Sequence, residues 1–143
     1  MGFLQGLAGN MQQIDPQQAA AEYGPWLLEG EQVQSAYKML RDGFCITNTR
    51  IISLDHQGAT GKKTRVKSIP LHAIVDVTAE SAGPMDDSEI TLVYIETPRL
   101  RAPQVTYSSY TFEFPRKFDI ADLYRYFMGL AVKNVAQLNA GDR

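Results

Sequence analysis

The chain has 143 residues, a net charge of -2, a single cysteine and 44% apolar residues. This composition is ordinary for one soluble globular domain; it excludes an internal disulfide and offers no overall positive field for nucleic acid or anionic lipid. Since no cationic signal-peptide region and no run of about 18 apolar residues is present, we expect a cytoplasmic protein.

The first 25 residues predict an N-terminal helical extension. Apolar residues at helical spacing form one side of it, called here the N-terminal stripe: Phe3, Leu4, Leu7, Met11 and Ile14. Asp15 before Pro16 predicts an N-cap and a second short helix ending near Tyr23. No Lys or Arg precedes Lys38, whereas membrane-surface helices usually carry cations. We therefore expect the stripe to pack on its own domain or on a neighbouring subunit, as a candidate oligomer interface, rather than on a membrane.

The middle of the chain predicts seven short strands separated by Gly, Asp, Asn or Pro signals. Their expected positions are residues 32–40, 43–47, 50–55, 63–69, 74–81, 89–97 and 105–114. The short connections favour antiparallel pairing of consecutive strands in an up-and-down meander. A βαβ pattern is absent from the sequence, which argues against a nucleotide-binding α/β fold.

Two strands carry more detailed predictions. Alternation in the fifth strand predicts that Val75, Val77 and Ala79 share a buried face. In the seventh strand the apolar phase changes at Ser108 and Ser109, which predicts a β-bulge that bends the strand.

The chain from 119 to 139 predicts a C-terminal amphipathic helix with Asp119 as its N-cap. The expected apolar stripe is Ile120, Leu123, Phe127, Leu130 or Ala131, and Val135. Such a wide stripe needs a hydrophobic surface, and the open end of a small bent sheet would provide one. The order of elements resembles a mainly β, pleckstrin-homology-like (PH-like) domain over residues 26–139, with a tail at 140–143.

Residues 29–83 carry motifs that resemble the bacterial pleckstrin-homology family, once described as a domain of unknown function. The motifs are GE at 30–31, AYK at 36–38, RD at 41–42, TNTR at 47–50, DHQG at 55–58, TGKK at 60–63, SIP at 68–70 and ESAG at 80–83. The resemblance implies a seven-stranded antiparallel bent barrel capped by the C-terminal helix, in an intracellular bacterial protein that assembles into rings of identical subunits. It implies no catalytic activity and supplies no ligand.

One basic cluster is the candidate anion or partner site: Lys62, Lys63, Arg65 and Lys67. In an extended strand, the last three project from one face at a period of two residues. They could bind phosphate groups or an acidic partner. Alternatively, they could pair across strands with Asp76 and Glu80, which requires no ligand.

Other chemical motifs are weak. The glycine-containing segment 58–64 lacks the first Gly and the Ser or Thr of a phosphate loop, and no ligand spacing typical of a metal site is present. We expect no cofactor, no metal and no nucleic-acid partner. The leading hypothesis is a non-catalytic, self-associating scaffold whose partners are other copies of itself and an unidentified protein. The alternatives are a peripheral anionic-lipid or phosphate binder, and an enzyme with a pocket that sequence motifs do not reveal.

Overall fold

A computed structural model describes residues 14–39, 42–57 and 62–140. In these ranges the strands are β1 (Val33–Met39), β2 (Asp42–Thr47), β3 (Arg50–Gln57), β4 (Lys63–Pro70), β5 (Ile74–Glu80), β6 (Ser88–Ile95) and β7 (Tyr107–Phe114). The helices are α1 (Pro16–Tyr23) and α2 (Ala121–Asn139), with 3₁₀ turns at Gly24–Trp26 and Leu71–Ala73. Strand positions agree with the sequence predictions to within about two residues, the usual uncertainty of element ends.

The chain divides into two compact units that meet in sequence between Pro70 and Leu71. The first contains an antiparallel sheet in the order β1-β2-β3-β4, and the second an antiparallel sheet in the order β5-β6-β7. Within each sheet, strands that follow one another in sequence are neighbours. The predicted meander is therefore confirmed inside both units.

In the first unit, α1 packs on one face of the four-stranded sheet. As predicted, Asp15 caps the helix: its Oδ1 accepts a hydrogen bond from the Gln18 N–H at 2.8 Å, and Pro16 is the first helical residue. The resulting buried cluster contains Ala19 and Tyr23 from the helix with Ala36, Cys45, Ile52 and Leu54 from the sheet. Burial of these apolar side chains holds the short helix in place, because eight residues alone would not form a stable helix.

The second unit packs α2 against β5 through one side of the helix. The helical residues buried there are Leu123, Phe127, Ala131 and Asn134. Asn134 Nδ2 donates hydrogen bonds to the Leu71 and Ile74 carbonyl oxygens, both at 2.8 Å. The sequence predicted Val135 at this end of the buried stripe, yet Val135 is 39% exposed. Asn134 is buried there because its amide satisfies two carbonyl groups that apolar Val135 could not.

The helix start also differs slightly from its prediction. Ile120, rather than Asp119, is the N-cap residue, and no side chain caps it. Asp119 nevertheless acts at this end, because its Oδ1 accepts a hydrogen bond from the Ala121 N–H at 3.0 Å. The carboxylate therefore satisfies one of the amide groups that a helix start leaves without an intrahelical partner.

The β5 prediction is only partly right. Val77 is buried, but Val75 is half-buried and Ala79 is exposed. A register shift between Ile74 and Asp76 changes the alternation, so that Ile74, opposite Tyr94, is also buried. The bulge therefore places on the core side a residue that strict alternation would turn away.

The predicted bulge in β7 is wrong. Ser108 and Ser109 pair regularly with Tyr94 and Val93, and the strand keeps one register along its length. Because β7 begins at Tyr107, Val105 lies outside the strand, and Tyr107 is exposed. No change of phase is therefore needed for the core-facing side chains that follow.

Candidate functional site

The β4 basic row, defined as Lys63, Arg65 and Lys67, lies on one face of the first sheet. Its three members stand opposite Gln57, Asp55 and Ser53 of β3, in that order. Lys63 and Arg65 are exposed and Lys67 is half-buried, while Lys62 is exposed just before the strand. The period of a β-strand thus brings three cations together on the same side of the sheet.

Carboxylates from the same sheet accompany the β4 basic row. Asp55 stands opposite Arg65, and Asp42 of β2 stands opposite Asp55. Gln57 Nε2 donates a hydrogen bond to Asp55 Oδ2 at 3.0 Å. Since directly opposed residues share a face, the surface combines cations on β4 with acids on the two preceding strands.

The predicted cross-strand partners of the basic cluster, Asp76 and Glu80, are wrong. Both belong to β5, which pairs with β6, where they stand opposite Val93 and Glu89. The strand next to β4 in its ladder is β3, so Asp55 occupies the opposing position instead. The cross-strand prediction therefore named the wrong neighbouring strand.

Only one member of the N-terminal stripe can be placed. Phe3, Leu4, Leu7 and Met11 lie outside the described residues. Ile14 is half-buried against the α1 cluster, and its N–H donates to the Ala36 carbonyl oxygen at 3.1 Å. The last residue of the stripe therefore contacts β1 of its own unit.

A polar network around Glu31 and Arg50 was not anticipated from the sequence. The pair is bidentate, with Arg50 Nε donating to Glu31 Oε2 and Nη2 donating to Oε1, both at 2.8 Å. The Glu31 carboxylate also accepts from the Thr47 hydroxyl at 2.7 Å and the Thr49 hydroxyl at 2.9 Å. The Glu31 side chain is only 2% exposed, and that of Arg50 is 17% exposed. Removing one partner of such a buried, hydrogen-bonded ion pair strongly destabilises the fold, because the other charge is left buried without its counter-ion.

Arg50 extends the network to two more segments. Its Nη1 donates to Ser68 Oγ of β4 at 2.7 Å, and its Nη2 donates to the Trp26 carbonyl oxygen at 2.6 Å. Hydrogen bonds from Arg50, above all, hold the pKa of Glu31 well below its usual range, and Glu31 in turn raises the pKa of Arg50. The network joins the segment after α1 to the β2–β3 turn and to β4. It gives a structural reason for the GE, TNTR and SIP motifs.

The histidines and the other candidate metal or phosphate ligands form no recognisable site among the described residues. His56 Nδ1 lies 3.4 Å from Thr64 Oγ1, and His72 is exposed on a 3₁₀ turn. Among the described residues, no group of three or more His, Cys, Asp or Glu side chains is placed to hold a metal ion. The glycines at 58 and 61 lie outside those residues. Neither described α-helix combines the length and apolar character needed to cross a bilayer.

The side of α2 next to its buried side carries a second set of apolar residues. We call them the outer α2 stripe: Tyr124, Met128, Val132 and Val135. Tyr124 and Met128 are half-buried, whereas Val132 is 60% and Val135 39% exposed. Their spacing of four, four and three residues places them along one line of the helix surface. The apolar stripe predicted from the sequence is confirmed where it is buried, at Ile120, Leu123, Phe127 and Ala131. Of the outer α2 stripe, only Val135 belonged to that prediction.

Three comparisons show what the chain resembles. A family model described as "Bacterial PH domain" matches residues 2–130. Uncharacterized protein YjqA of Bacillus subtilis is 43% identical over 93 residues, which cover 64% of this chain and 74% of that protein.

Two solved structures have the same fold. One is a pleckstrin homology domain from Shewanella amazonensis SB2B, 37% identical, with a TM-score of 0.62 over 91% of this chain and 98% of that chain. The other is a DUF1696 family protein with a pleckstrin-homology domain from Shewanella loihica PV-4, 30% identical, with a TM-score of 0.61 over 87% of this chain and 99% of that chain. The predicted fold class, mainly β with seven antiparallel strands and a C-terminal helix, is confirmed.

Proposed function

Since the chain belongs to the bacterial PH domain family, we propose that it is a non-catalytic module that associates with further copies of itself. In this role it forms a homo-oligomeric scaffold that presents a repeated surface to a protein partner in the cytoplasm. One observation carries the proposal: the outer α2 stripe leaves Val132 and Val135 exposed beside a helix side that is already packed.

Exposed apolar side chains in a continuous line favour association. Isolated exposed Val or Leu residues are ordinary on protein surfaces, but contiguous apolar patches mark contacts with other macromolecules. The outer α2 stripe runs through about three helical turns and contains no charged side chain. Burying it against a second protein chain would remove apolar surface from water without desolvating a charge.

Four titratable groups with altered pKa values lie in packed or hydrogen-bonded surroundings, which supports a structural rather than a catalytic role for them. Glu31 and Arg50 are paired with each other through two hydrogen bonds. Burial raises the pKa of the Cys45 thiol to about 12 and also raises the pKa of Tyr23, and both lie in the α1 cluster. A thiol with this pKa is protonated near neutral pH and is a poor nucleophile.

We expect the intact chain to have a solution mass of several times 15.9 kDa. The measurement is light scattering during size-exclusion chromatography, at concentrations covering a hundredfold range. A mass that stays at 15.9 kDa at every concentration would reject self-association.

The β4 basic row favours a second candidate, the binding of an anionic ligand. Its three cations share a face, and the two nearest the start of β4 are exposed. The acids at 42 and 55 reduce the local positive field, so we expect weak and salt-dependent binding. In this candidate a phosphate group, free or on a lipid, contacts Lys63 and Arg65.

Replacing the row by alanine, as Lys63→Ala/Arg65→Ala/Lys67→Ala, should weaken binding to phosphatidylserine vesicles at low salt by roughly 100-fold, since each cation near the surface contributes about 1 kcal/mol. The matched control is Arg116→Ala/Lys117→Ala/Lys133→Ala, which removes the same charge from exposed positions of the second unit. Competition by inorganic phosphate would identify a phosphate site rather than a lipid surface. Equal weakening by both triple variants, or no binding by the unaltered chain, would reject this candidate.

A further inference from the structure

We propose that the outer edge of β4 binds an extended acidic segment of the protein partner, which adds to the first sheet as a further strand. The inference rests on the proposed scaffold function and adds to it the surface that the partner recognises and the chemistry of the bound segment. The occupant is a peptide chain with Asp or Glu at alternate positions.

The strand β4 lies at an end of its sheet. The order β1-β2-β3-β4 pairs it on one side, with β3. Among the residues that the structure describes, no backbone hydrogen bond joins positions 63–66 to a segment other than β3. The N–H and C=O groups along the other side of an edge strand can pair with another extended chain. Main-chain hydrogen bonds would therefore contribute to the affinity for an added strand.

The β4 basic row decides the charge of the chain that this edge accepts. Lys63 and Arg65 are exposed, and in the described ranges neither side chain forms an ion pair or a hydrogen bond. Arg65 stands opposite Asp55, while the Asp55 carboxylate accepts a hydrogen bond from Gln57. An added strand places its side chains directly opposite those of β4, so carboxylates at these positions would pair with the two cations.

The spacing of the β4 basic row matches that of an alternating acidic strand. Side chains on one face of a strand recur at every second residue, about 6.5–7 Å apart. Acidic residues at alternate positions of an extended segment recur at the same distance, so one register brings three carboxylates opposite Lys63, Arg65 and Lys67. A phosphate ion or a single lipid headgroup has no such repeat. The row therefore fits an extended peptide better than it fits either of these.

The opposite face of β4 sets the residues between the acids. Thr64 and Ser68 are exposed on that face, and Val66 is half-buried against the α1 cluster. The remaining side chains of an added strand would lie beside two hydroxyl groups and one apolar group. We therefore expect threonine, serine or valine between the acidic residues, rather than further charged residues.

The same charges oppose pairing of β4 with the β4 strand of another copy. Such a pair would bring lysine and arginine side chains of the two strands close together, and like charges in opposed positions destabilise a sheet. Lysine on edge strands is a means by which proteins avoid edge-to-edge association. The β4 edge thus disfavours an identical strand and favours one of opposite charge.

Fluorescence anisotropy with a synthetic peptide tests the binding. The probe is a short labelled peptide in which glutamate alternates with threonine and valine. We expect the intact chain to bind it at low salt, and Lys63→Glu/Arg65→Glu to weaken binding by about tenfold or more, because two attractive pairs become repulsive. The matched control is Arg116→Glu/Lys117→Glu, which reverses two exposed charges of the second unit and should leave the affinity unchanged. Equal weakening by both variants would overturn the proposal.

Backbone methylation of the peptide distinguishes strand addition from attraction between charges alone. Two versions keep the same side chains and carry N-methyl groups either on the glutamates or on the residues between them. Successive residues of a strand direct their N–H groups to opposite edges, and only one edge of the added strand faces β4. One version should therefore lose binding while the other keeps it. Equal affinities of the two versions would overturn strand addition.

Two further measurements separate this inference from the other proposals. Binding to phosphatidylserine vesicles without binding to the peptide would assign the row to anionic lipid and overturn the inference. Solution mass, measured on the same preparation, reports on self-association. An oligomer that fails to bind the peptide would reject only the β4 edge as the partner surface, whereas a monomer that binds it would reject self-association and support the inference.

Discussion

Replacing Arg50 by methionine is expected to destabilise the first unit by about 3–5 kcal/mol, because the change leaves the buried carboxylate of Glu31 without its cation. Methionine keeps most of the apolar stem but donates none of the hydrogen bonds to Glu31, Ser68 and the Trp26 carbonyl. Urea unfolding followed by the fluorescence of Trp26 reports on this unit, since Trp26 is the single tryptophan and lies at the network.

An exposed arginine–aspartate pair on α2 provides a matched control. Arg125 and Asp122 form an ion pair on α2 whose side chains are 68% and 42% exposed. Exposed pairs of this kind contribute about 0–1 kcal/mol, so Arg125→Met should change stability little. Equal effects of the two substitutions on the free energy of unfolding would show that the Glu31–Arg50 pair contributes no more than an exposed ion pair.

The Glu31–Arg50 pair also makes the stability of the first unit depend on pH. In the folded chain the pKa of Glu31 lies well below its value in the unfolded chain, which is about 4.3. The unfolded state therefore binds the proton more readily, and the stabilisation by Glu31 is fully present above that unfolded value. It is lost progressively as the pH falls below it. The Glu31→Gln variant should be less stable than the unaltered chain at neutral pH. Between about pH 5 and about pH 3, it should lose less stability than the unaltered chain does. Parallel pH profiles would contradict the assignment.

Phe127→Ala is expected to lower the stability of the second unit by about 3–5 kcal/mol, because it removes a large, fully buried side chain and leaves a cavity between α2 and its sheet. Phe127 lies between Leu123 and Ala131 on the buried side of the helix. The measurement is chemical unfolding followed by far-ultraviolet circular dichroism, since the tryptophan belongs to the first unit.

Lys133→Ala is the control for this second substitution. Lys133 is exposed on the same helix, so its replacement should change stability by no more than about 0.5 kcal/mol. The comparison tests which side of α2 the sheet covers. A large loss from Lys133→Ala, or a negligible one from Phe127→Ala, would show that the helix packs through a different side.

Much of the fold could be predicted from local patterns. Apolar periodicity and turn residues, which are local features of the sequence, predict where the strands and helices lie. Likewise, Asp15 followed by Pro16 predicts the start of α1, where Asp15 caps the helix. The motifs in residues 29–83 correctly predicted the family, which the match over residues 2–130 shows. The predicted functions, the basic cluster as a ligand site and the N-terminal stripe as an interface stay predictions.

The errors have a common physical origin. The apolar pattern predicts a bulge at Ser108 and Ser109 only if Val105 belongs to the strand, whereas β7 begins at Tyr107. The order of strands along the chain suggests Asp76 and Glu80 as cross-strand partners of the basic cluster, although β5 belongs to the other sheet. Both predictions continue a local pattern past the end of a pairing: one past the start of β7, the other from β4 into the next sheet.

The sequence by itself determined the kinds of element, their order, the pairing of consecutive strands within each sheet and the family. These properties depend on residues close together in the chain, whose backbone preferences and periodicity act before any distant contact forms. The tertiary structure alone decided that Glu31 would meet Arg50, nineteen residues away, and that Asn134 would be buried against Leu71, sixty-three residues away. It also decided that Val135, which the apolar spacing predicts as buried, would remain exposed, because a side chain's burial depends on the surface that distant segments bring to it.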